Sequence, residues 1–342
     1  MRKLLNTLYI TSPSSYLTRE GENIIVKAED RDPLRMPIHI LESIVTVGYA
    51  GASPSLMQLC AERGVSLSFL QENGQFMASV HGKTTGNVLL RRKQYRLADG
   101  ERAAIYAKRF IFAKIANSRT VLNRAIRDHG SNIASDKVNK EADFLKRYLN
   151  KVLTVPGLDD IRGIEGEAAR RYFSAFNELI LADKESFYLR GRNRRPPLDR
   201  VNALLSYTYT LLRLEVQSAL ETVGLDPAAG FLHRDRPGRP SLALDLMEEL
   251  RAYMADRLVL SLINRKQIHA NDFTIKENGA VLLKPDLKKE LITAWQKRKR
   301  EEIRHPFLDE IIPIGLLPYS QALLLARTIR GDLEEYPPFL WK

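Results

Sequence analysis

The sequence predicts an α+β protein with an N-terminal β-rich domain followed by a larger, mostly α-helical C-terminal domain. Short segments of β-branched and aromatic residues occupy residues 1–85, whereas the chain from about residue 88 mainly shows the 3.6-residue apolar spacing of helices. The small and polar residues between these regions, His81–Asn87, are typical of a hinge. We therefore predict two domains, residues 1–85 and residues 86–342.

The N-terminal domain is predicted to combine strands with one short helix. Apolar residues with high strand propensity indicate the strands Leu4–Ile10, Ser15–Thr18, Ile24–Lys27, Val65–Leu70 and Phe76–Val80. Asn73-Gly74 favours a tight hairpin turn between the last two strands. Ser53 or Ser55 can cap a helix that ends at Gly64.

The C-terminal domain is predicted to contain five long helices and several shorter ones. The apolar periodicity places the long helices at about Val88–Asp128, Ser135–Leu153, Leu158–Leu181, Pro197–Val223 and Ser241–Asn264. Ser241 is the expected N-cap of the last of them. A hairpin at Phe273–Leu283, turning at Asn278-Gly279, interrupts the helical pattern.

The composition favours a soluble protein with a polyanionic partner. With 53 Lys and Arg against 41 Asp and Glu, the net charge is +12, and 44% hydrophobic residues suffice for real cores. Eleven basic residues lie between Arg91 and Arg127, against Asp99 and Glu101. The lone Cys60 cannot form an internal disulfide, and no apolar stretch approaches the ~20 residues of a membrane span, so a cytoplasmic location is expected.

The segment Phe231–Arg251 combines a histidine, a basic turn and an acidic helix start. At 100° per residue, Asp245, Glu248 and Glu249 fall on one helix face. One imidazole with two carboxylates suits Mg²⁺ or Mn²⁺, and the lack of clustered Cys and His disfavours structural zinc. Taken alone, His233 is better interpreted as a partly exposed residue before a loop. The combination favours a metal-assisted phosphodiester site.

Other motifs leave two interpretations open. Glu165, between Gly163 and Gly166, is either an exposed acid at a helix start or a carboxylate beside a closely approaching backbone or ligand. The arginine-rich loop 190–195 either contacts phosphates or is a solvated surface loop. The terminal YPPFLWK is either a docking tail or a loose end. Individual DNA contacts are predicted only from composition, at Arg91, Arg92, Arg192, Arg194 and Arg195.

Several motifs together give the chain a close resemblance to the CRISPR-associated integrase, the catalytic subunit of the spacer-acquisition complex. In chain order they are SPSLMQLCAERGVSLSFL (53–70), GNVLLRRKQY (86–95), RGIEGEAARRYF (162–173), RPPLDRVNALLSYTYTLL (196–213) and GFLHRDRPGRPSLALDLMEELR (230–251). The last motif and the chain ending favour the subtype I-C branch. No Walker phosphate loop, Rossmann fingerprint or nucleophile elbow competes with this resemblance.

The resemblance implies a metal held by Glu165, His233 and Glu248, with Asp245 as an auxiliary acid. It implies insertion of short DNA fragments into the CRISPR array, when a fragment 3′-hydroxyl attacks a phosphodiester at the repeat boundary. It also implies cleavage of branched DNA, a homodimer and a small ferredoxin-like partner subunit. Many relatives have aspartate at the position of Glu248. Because glutamate is longer than aspartate, the metal would lie in a slightly different place in this chain.

Two other functions remain compatible with the residues. The first is a non-catalytic DNA-binding scaffold, which would bind DNA without metal, with a steep salt dependence and no product. The second is an RNA-processing nuclease, which would cleave structured RNA in preference to branched DNA.

Overall fold

The structure is a computed structural model that describes residues 7–12, 14–28, 31–41, 43–48, 50–71, 76–80, 88–193 and 196–341. Strands predominate up to residue 80 and helices from residue 88, which confirms the predicted α+β class. The chain divides into two compact units, residues 1–86 with 285–300, and residues 87–284 with 301–342. The helix at 285–300 thus groups with the first unit, whereas the predicted second domain was uninterrupted.

The first unit contains two four-stranded sheets. Its strands are β1 (Thr7–Ile10), β2 (Tyr16–Glu20), β3 (Asn23–Ala28), β4 (Arg31–Pro37), β5 (Ser43–Val47), β6 (Gly51–Ala52), β7 (Ser66–Leu70) and β8 (Phe76–Val80). One sheet has the order β1-β5-β7-β8, in which β8 alone is antiparallel to its neighbour, and the other has the order β4-β3-β2-β6. Sequence patterns missed β4, β5 and β6, and the predicted turn Asn73-Gly74 and hinge His81–Asn87 lie outside the described residues.

One short helix, α1 (Pro54–Arg63), packs in the core of the first unit. The Ser53 hydroxyl accepts a hydrogen bond from the Leu56 amide, and Gly64 ends the helix at φ 66°. Both predicted caps are therefore confirmed. The buried face of the helix, including Leu56 and Cys60, lies against apolar residues of the sheets. This unit also contains α9 (Pro285–Arg300).

The second unit is mainly helical. Its α-helices are α2 (Val88–Ala98), α3 (Ala103–His129), α4 (Ser135–Thr154), α5 (Leu158–Phe176), α6 (Arg200–Thr222), α7 (Ser241–Leu250), α8 (Arg257–Asn264) and α10 (Leu317–Arg330). A π-helical segment, Arg251–Asp256, joins α7 to α8. Two hairpins complete the unit, formed by β9 (Phe273–Ile275) with β10 (Val281–Leu283) and by β11 (Glu302–Arg304) with β12 (Ile311–Pro313). The hairpin predicted at Phe273–Leu283 is confirmed.

Two of the predicted long helices are each divided in the structure, and the helix predicted to end at Leu181 ends at Phe176. The first is interrupted at residues 99–102, where Asp99-Gly100 separates α2 from α3. The helix from 241 to 264 contains the π-helical segment and begins at Ser241 itself, after Pro240 and without a side-chain cap. Ser241 was therefore wrongly predicted as the N-cap. Its hydroxyl instead donates to the Arg234 carbonyl at 3.3 Å.

Helix α3 is central to the second unit because it packs against α4, α5 and α7. Its buried residues recur at helical spacing, for example Phe110, Ile111 and Ala113. The three partner helices are thereby held around one axis, which brings side chains distant in sequence into contact. Within the described residues, no helix combines the length and apolar character needed to cross a membrane.

Candidate active site

A lysine on α3 brings together two glutamates from two other helices. Lys114 Nζ donates to Glu165 Oε1 on α5 and lies 2.7 Å from Glu248 Oε2 on α7. The Lys114 and Glu248 side chains are 12% and 3% exposed, whereas that of Glu165 is 29% exposed. The two carboxylates therefore converge on one point that is open to solvent on the Glu165 side.

Glu248 is a buried carboxylate that remains charged. Arg251, three residues later, approaches its Oε1 atom at 2.9 Å. Burial raises the pKa of Glu248, but the neighbouring cations, led by Arg251, outweigh burial and lower the pKa to about 2. The Oε2 atom pairs with the Lys114 ammonium at 2.7 Å, and no other described residue donates to it. This oxygen can therefore accept a further electrophile.

His233 is held in one orientation by Asp245. The His233 Nδ1 atom lies 2.5 Å from Asp245 Oδ1, which also accepts the His233 amide at 3.0 Å. Asp245 Oδ2 accepts the amides of Phe231 and Leu232 at 2.6 and 2.9 Å. Because Asp245 is fully buried and accepts all these donors, it selects the tautomer with the proton on Nδ1. Nε2 then carries the free lone pair.

Gly230 allows this loop to approach α7 closely. A Cβ atom at Gly230 would lie 2.8 Å from the Ser241 Cβ and 2.9 Å from Asp245 Oδ2. Any larger residue would push the His233 loop away from the helix. Arg162 on α5 holds the other side of the loop, since its Nε donates to the Leu232 carbonyl at 2.8 Å. The loop therefore connects the helices that carry Glu165 and Glu248.

A cavity of about 540 Å³ lies beside Glu165. Its lining includes Gly166, Phe173, Tyr188, Arg192 and Asp256. A Cβ atom at Gly163 or Gly166 would meet nothing within 4 Å, so protein packing does not explain these glycines. Gly166 lines the cavity and Gly163 does not, and the ligand interpretation of the Gly163–Gly166 motif stays a prediction.

The donor atoms of Glu165, Glu248 and His233 are chemically suited to a divalent metal ion. Carboxylate oxygens and an imidazole nitrogen are ligands that Mg²⁺ and Mn²⁺ accept. Glu165 and Glu248 already converge on the cationic nitrogen of Lys114, and the histidine pairs its second ring nitrogen with a buried carboxylate, as metal-ligating histidines do. As the side chains stand, no three His, Cys, Asp or Glu residues in the described part of the chain form a closed ligand set.

The carboxylates predicted on one face of α7 do not form a common acidic surface. Asp245, Glu248 and Glu249 are all buried, at 0%, 2% and 0% exposure, and each has different partners. Asp245 contacts the His233 loop and Glu248 contacts cations. Glu249 accepts hydrogen bonds from Gln321 and Tyr336. Successive residues on a helix are rotated by 100° about its axis. Because α7 is packed on all sides, these carboxylates therefore lie in separate surroundings.

The predicted DNA-contacting arginines are separated in the structure. Arg91 Nε donates to the Gly224 carbonyl at 3.2 Å, and Arg92 is exposed on α2. Arg192 lines the cavity and donates to Asn202 Oδ1 at 2.5 Å. Arg194 and Arg195 lie outside the described residues. Among the three of these arginines that the structure describes, Arg192 is the one that lies near the candidate active site.

Sequence patterns missed Lys114, Arg251 and Asp256. Lys114 counted only as one of many basic residues, and nothing local links it to Glu165 or Glu248, which are 51 and 134 residues away. Arg251 lies three residues after Glu248, and this helical spacing would have indicated the pair. Asp256 accepts from the Tyr209 hydroxyl at 2.6 Å, and burial raises its pKa to about 6.

The family model described as CRISPR associated protein Cas1 matches residues 8–297. This chain belongs to the Cas1 family. A curated relative from Chlorobaculum tepidum, named CRISPR-associated endonuclease Cas1 1, is 52% identical over 343 residues, and the alignment covers 100% of both chains. These relationships confirm the family and the class of enzyme expected from the sequence, a CRISPR-associated endonuclease. The subtype I-C branch stays a prediction.

Two solved structures show the same fold as this Cas1 chain. A casposase bound to integration product has a TM-score of 0.83 at 23% identity, covering 96% of this chain and 92% of the casposase chain. A chain of a Cas6-RT-Cas1–Cas2 complex has a TM-score of 0.82 at 22% identity, covering 98% of this chain and 36% of that chain. At these identities the similarity establishes a common fold.

Proposed function

We propose that this Cas1 chain cuts and joins DNA at a metal site formed by Glu165, His233 and Glu248. In this reaction a 3′-hydroxyl of a short DNA fragment attacks a phosphodiester at a repeat boundary of the CRISPR array. One P–O bond forms as another breaks, so no external energy source is required. The observation that carries this proposal is the convergence of two carboxylates on one cationic nitrogen in a chain of the endonuclease family.

Each residue has a distinct role in this proposal. Glu165 and Glu248 supply oxygen ligands and His233 supplies Nε2, while Asp245 orients the imidazole instead of binding the ion itself. Mg²⁺ or Mn²⁺, when bound, lowers the pKa of an attacking hydroxyl and neutralises charge on the phosphate. Arg251 keeps Glu248 ionised and therefore ready to ligate.

The cavity beside Glu165 supports binding of a DNA strand at this site. Gly166 leaves room for close approach, and Arg192 supplies a guanidinium at the cavity wall. Tyr188 is 54% exposed and Phe173 also lines the cavity, and aromatic rings of this kind stack with unpaired bases. The net charge of +12 favours DNA as the partner.

The proposed assembly follows the proteins that share this fold. The solved complex that contains Cas1 and Cas2 supports a Cas partner subunit, and the casposase bound to integration product supports DNA joining. We propose a homodimer with a small ferredoxin-like partner subunit, acting on double-stranded and branched DNA. A cytoplasmic location remains part of the proposal.

The test is strand transfer of a labelled short duplex into a plasmid bearing a CRISPR leader and repeat. The reaction contains the partner subunit with Mn²⁺ or Mg²⁺, and compares wild type with His233→Ala. We expect the substitution to lower the yield of joined product by about 10²-fold or more, while DNA binding is unchanged. Exposed His129→Ala is the matched control and should react as wild type does.

Three outcomes would contradict the proposal. Equal joining by the His233→Ala variant would place the chemistry elsewhere in the chain. Absence of product from wild type with every divalent ion would favour a DNA-binding scaffold. Preferential cleavage of structured RNA would identify an RNA-processing nuclease.

A further inference from the structure

The segment Tyr336–Trp341, which we name the C-terminal strap, is anchored to the helices that carry Lys114 and Glu248. Sequence patterns left this segment as a docking tail or a loose end. In the structure Tyr336, Phe339 and Trp341 are 3%, 0% and 9% exposed. The Phe339 ring lies 5.4 Å from Tyr253, and the Trp341 ring lies between the guanidinium groups of Arg124 and Arg257, at 4.1 and 4.2 Å.

Glu249 is the anchor of the strap on α7. Its Oε1 atom accepts from the Tyr336 hydroxyl at 2.7 Å and from Gln321 Nε2 at 2.9 Å. Its Oε2 atom accepts from the Phe339 amide at 3.1 Å. The carboxylate next to Glu248 is thus committed entirely to the strap and to α10.

Asn117 is the anchor of the strap on α3. Its Nδ2 atom donates to the Phe339 carbonyl at 2.9 Å and to the Glu249 carbonyl at 2.7 Å, and its Oδ1 atom accepts from the Trp341 amide at 2.8 Å. Asn117 follows Lys114 by three residues, so the two lie on the same face of α3. The same face of α3 therefore contacts Glu248 through Lys114 and contacts Glu249 through Asn117.

This arrangement determines where Glu248 points. Successive helical residues differ by 100° around the axis, so fixing Glu249 against the strap directs Glu248 towards Lys114 and Glu165. The anchor also lies two residues before the π-helical segment, a place where helical hydrogen bonding changes register. Asn117 holds the main chain at this point by its bond to the Glu249 carbonyl.

We propose that Glu249, Asn117 and the C-terminal strap are positioning residues that orient Glu248 for metal binding. Apolar contacts alone could hold the strap in place. They would avoid the free-energy cost of burying the Glu249 carboxylate and the Asn117 amide. Directional hydrogen bonds, in contrast, select one rotation of α7 and one strap conformation. The inference rests on the proposed role of Glu248 as a metal ligand.

The experiment measures Mn²⁺ affinity by calorimetry, without DNA and well below the unfolding temperature, using the full-length chain. Glu249→Leu, which removes both carboxylate oxygens that accept from the strap, should weaken Mn²⁺ binding by about tenfold or more. Tyr336→Phe keeps the ring and should weaken it by about threefold. Glu249→Gln retains one acceptor oxygen and should restore most of the affinity. Glu334→Gln, the same change at an exposed glutamate, should leave Mn²⁺ affinity unchanged.

The controls separate this inference from the proposed function. If Glu248→Gln leaves Mn²⁺ affinity unchanged, the proposed metal site is wrong. If Glu248→Gln weakens binding but both Glu249→Leu and Tyr336→Phe bind Mn²⁺ as wild type does, the positioning role is overturned, whatever their melting temperatures. If circular dichroism shows that Glu249→Leu does not fold, the Mn²⁺ affinity of Tyr336→Phe relative to wild type tests the positioning role.

Discussion

Glu248 and Glu249 are adjacent on α7 and both buried, but one carboxylate contacts cations and the other contacts neutral donors. Glu248 contacts the cations Lys114 and Arg251, which lower its pKa to about 2 against the effect of burial. Glu249 contacts neutral donors, and burial raises its pKa to about 7 despite hydrogen bonds from Tyr336 and Gln321. The charge of the partners, not the extent of burial, therefore decides which glutamate stays ionised.

The difference separates the proposed metal ligand, Glu248, from a structural carboxylate, Glu249. Glu248 faces the solvent-accessible Glu165 and is ionised across the physiological pH range. Glu249 faces the C-terminal strap. One helical step of 100° is enough to place the two side chains in these different surroundings.

The largest expected effect is the difference in DNA cleavage rate between Glu248→Gln and Glu249→Gln. Glu248→Gln removes a charged ligand and should lower the rate of branched-DNA cleavage by about 10³-fold or more at saturating Mn²⁺. Glu249→Gln retains an acceptor oxygen and should stay within about tenfold of wild type. Initial rates with a labelled substrate measure both, and equal losses would abolish the proposed distinction between these residues.

The next effect is on stability. Arg251→Met leaves the buried Glu248 carboxylate with Lys114 as its remaining cation and should lower the free energy of unfolding by about 3 kcal/mol. Urea unfolding in EDTA measures this loss, with exposed Arg127→Met as the control. Adding Glu248→Gln to Arg251→Met should recover part of it, because the unpaired charge is then removed. No recovery in the double variant would show that Arg251 acts by packing.

The smallest effect is on the pH dependence of stability. The pKa of Glu249 is raised in the folded protein, to about 7 from 4.5, so the folded state binds the proton more tightly. Its contribution to stability is present below pH 4.5 and is lost as pH rises to about 7. Glu248 has a lowered pKa, so its contribution is present above pH 4.5 and is lost as pH falls towards 2.

This pH dependence is measurable between pH 5 and pH 8 in EDTA. The unfolding free energy of wild type relative to Glu249→Gln should fall by about 2–3 kcal/mol over this range. The exposed-site variant Glu334→Gln should follow wild type. A constant difference between wild type and Glu249→Gln would mean that Glu249 does not titrate in this range.

Local patterns predicted the secondary structure around the site more reliably than its contacts. The periodicity of α4, α5 and α6 is strong, because each helix buries one apolar face for several turns. The break after Ala98 and the π-helical segment were missed, since a short turn and a change of helical register leave the apolar pattern almost intact. Strand β5 was missed because SIVTV is short, is buried along most of its length and lacks a strict apolar–polar alternation.

By itself, the sequence determined the α+β class and the family motifs, because these depend on local periodicity and residue type. The candidate residues Glu165, His233 and Glu248 followed from the resemblance that those motifs carry. Only the tertiary structure decided which side chains meet. Packing of α3 against α5 and α7 joins Lys114 to two glutamates that are distant along the chain, and the strap reaches Glu249 across 87 residues. Such contacts arise when helices bury their apolar faces together, and no local pattern specifies which faces will meet.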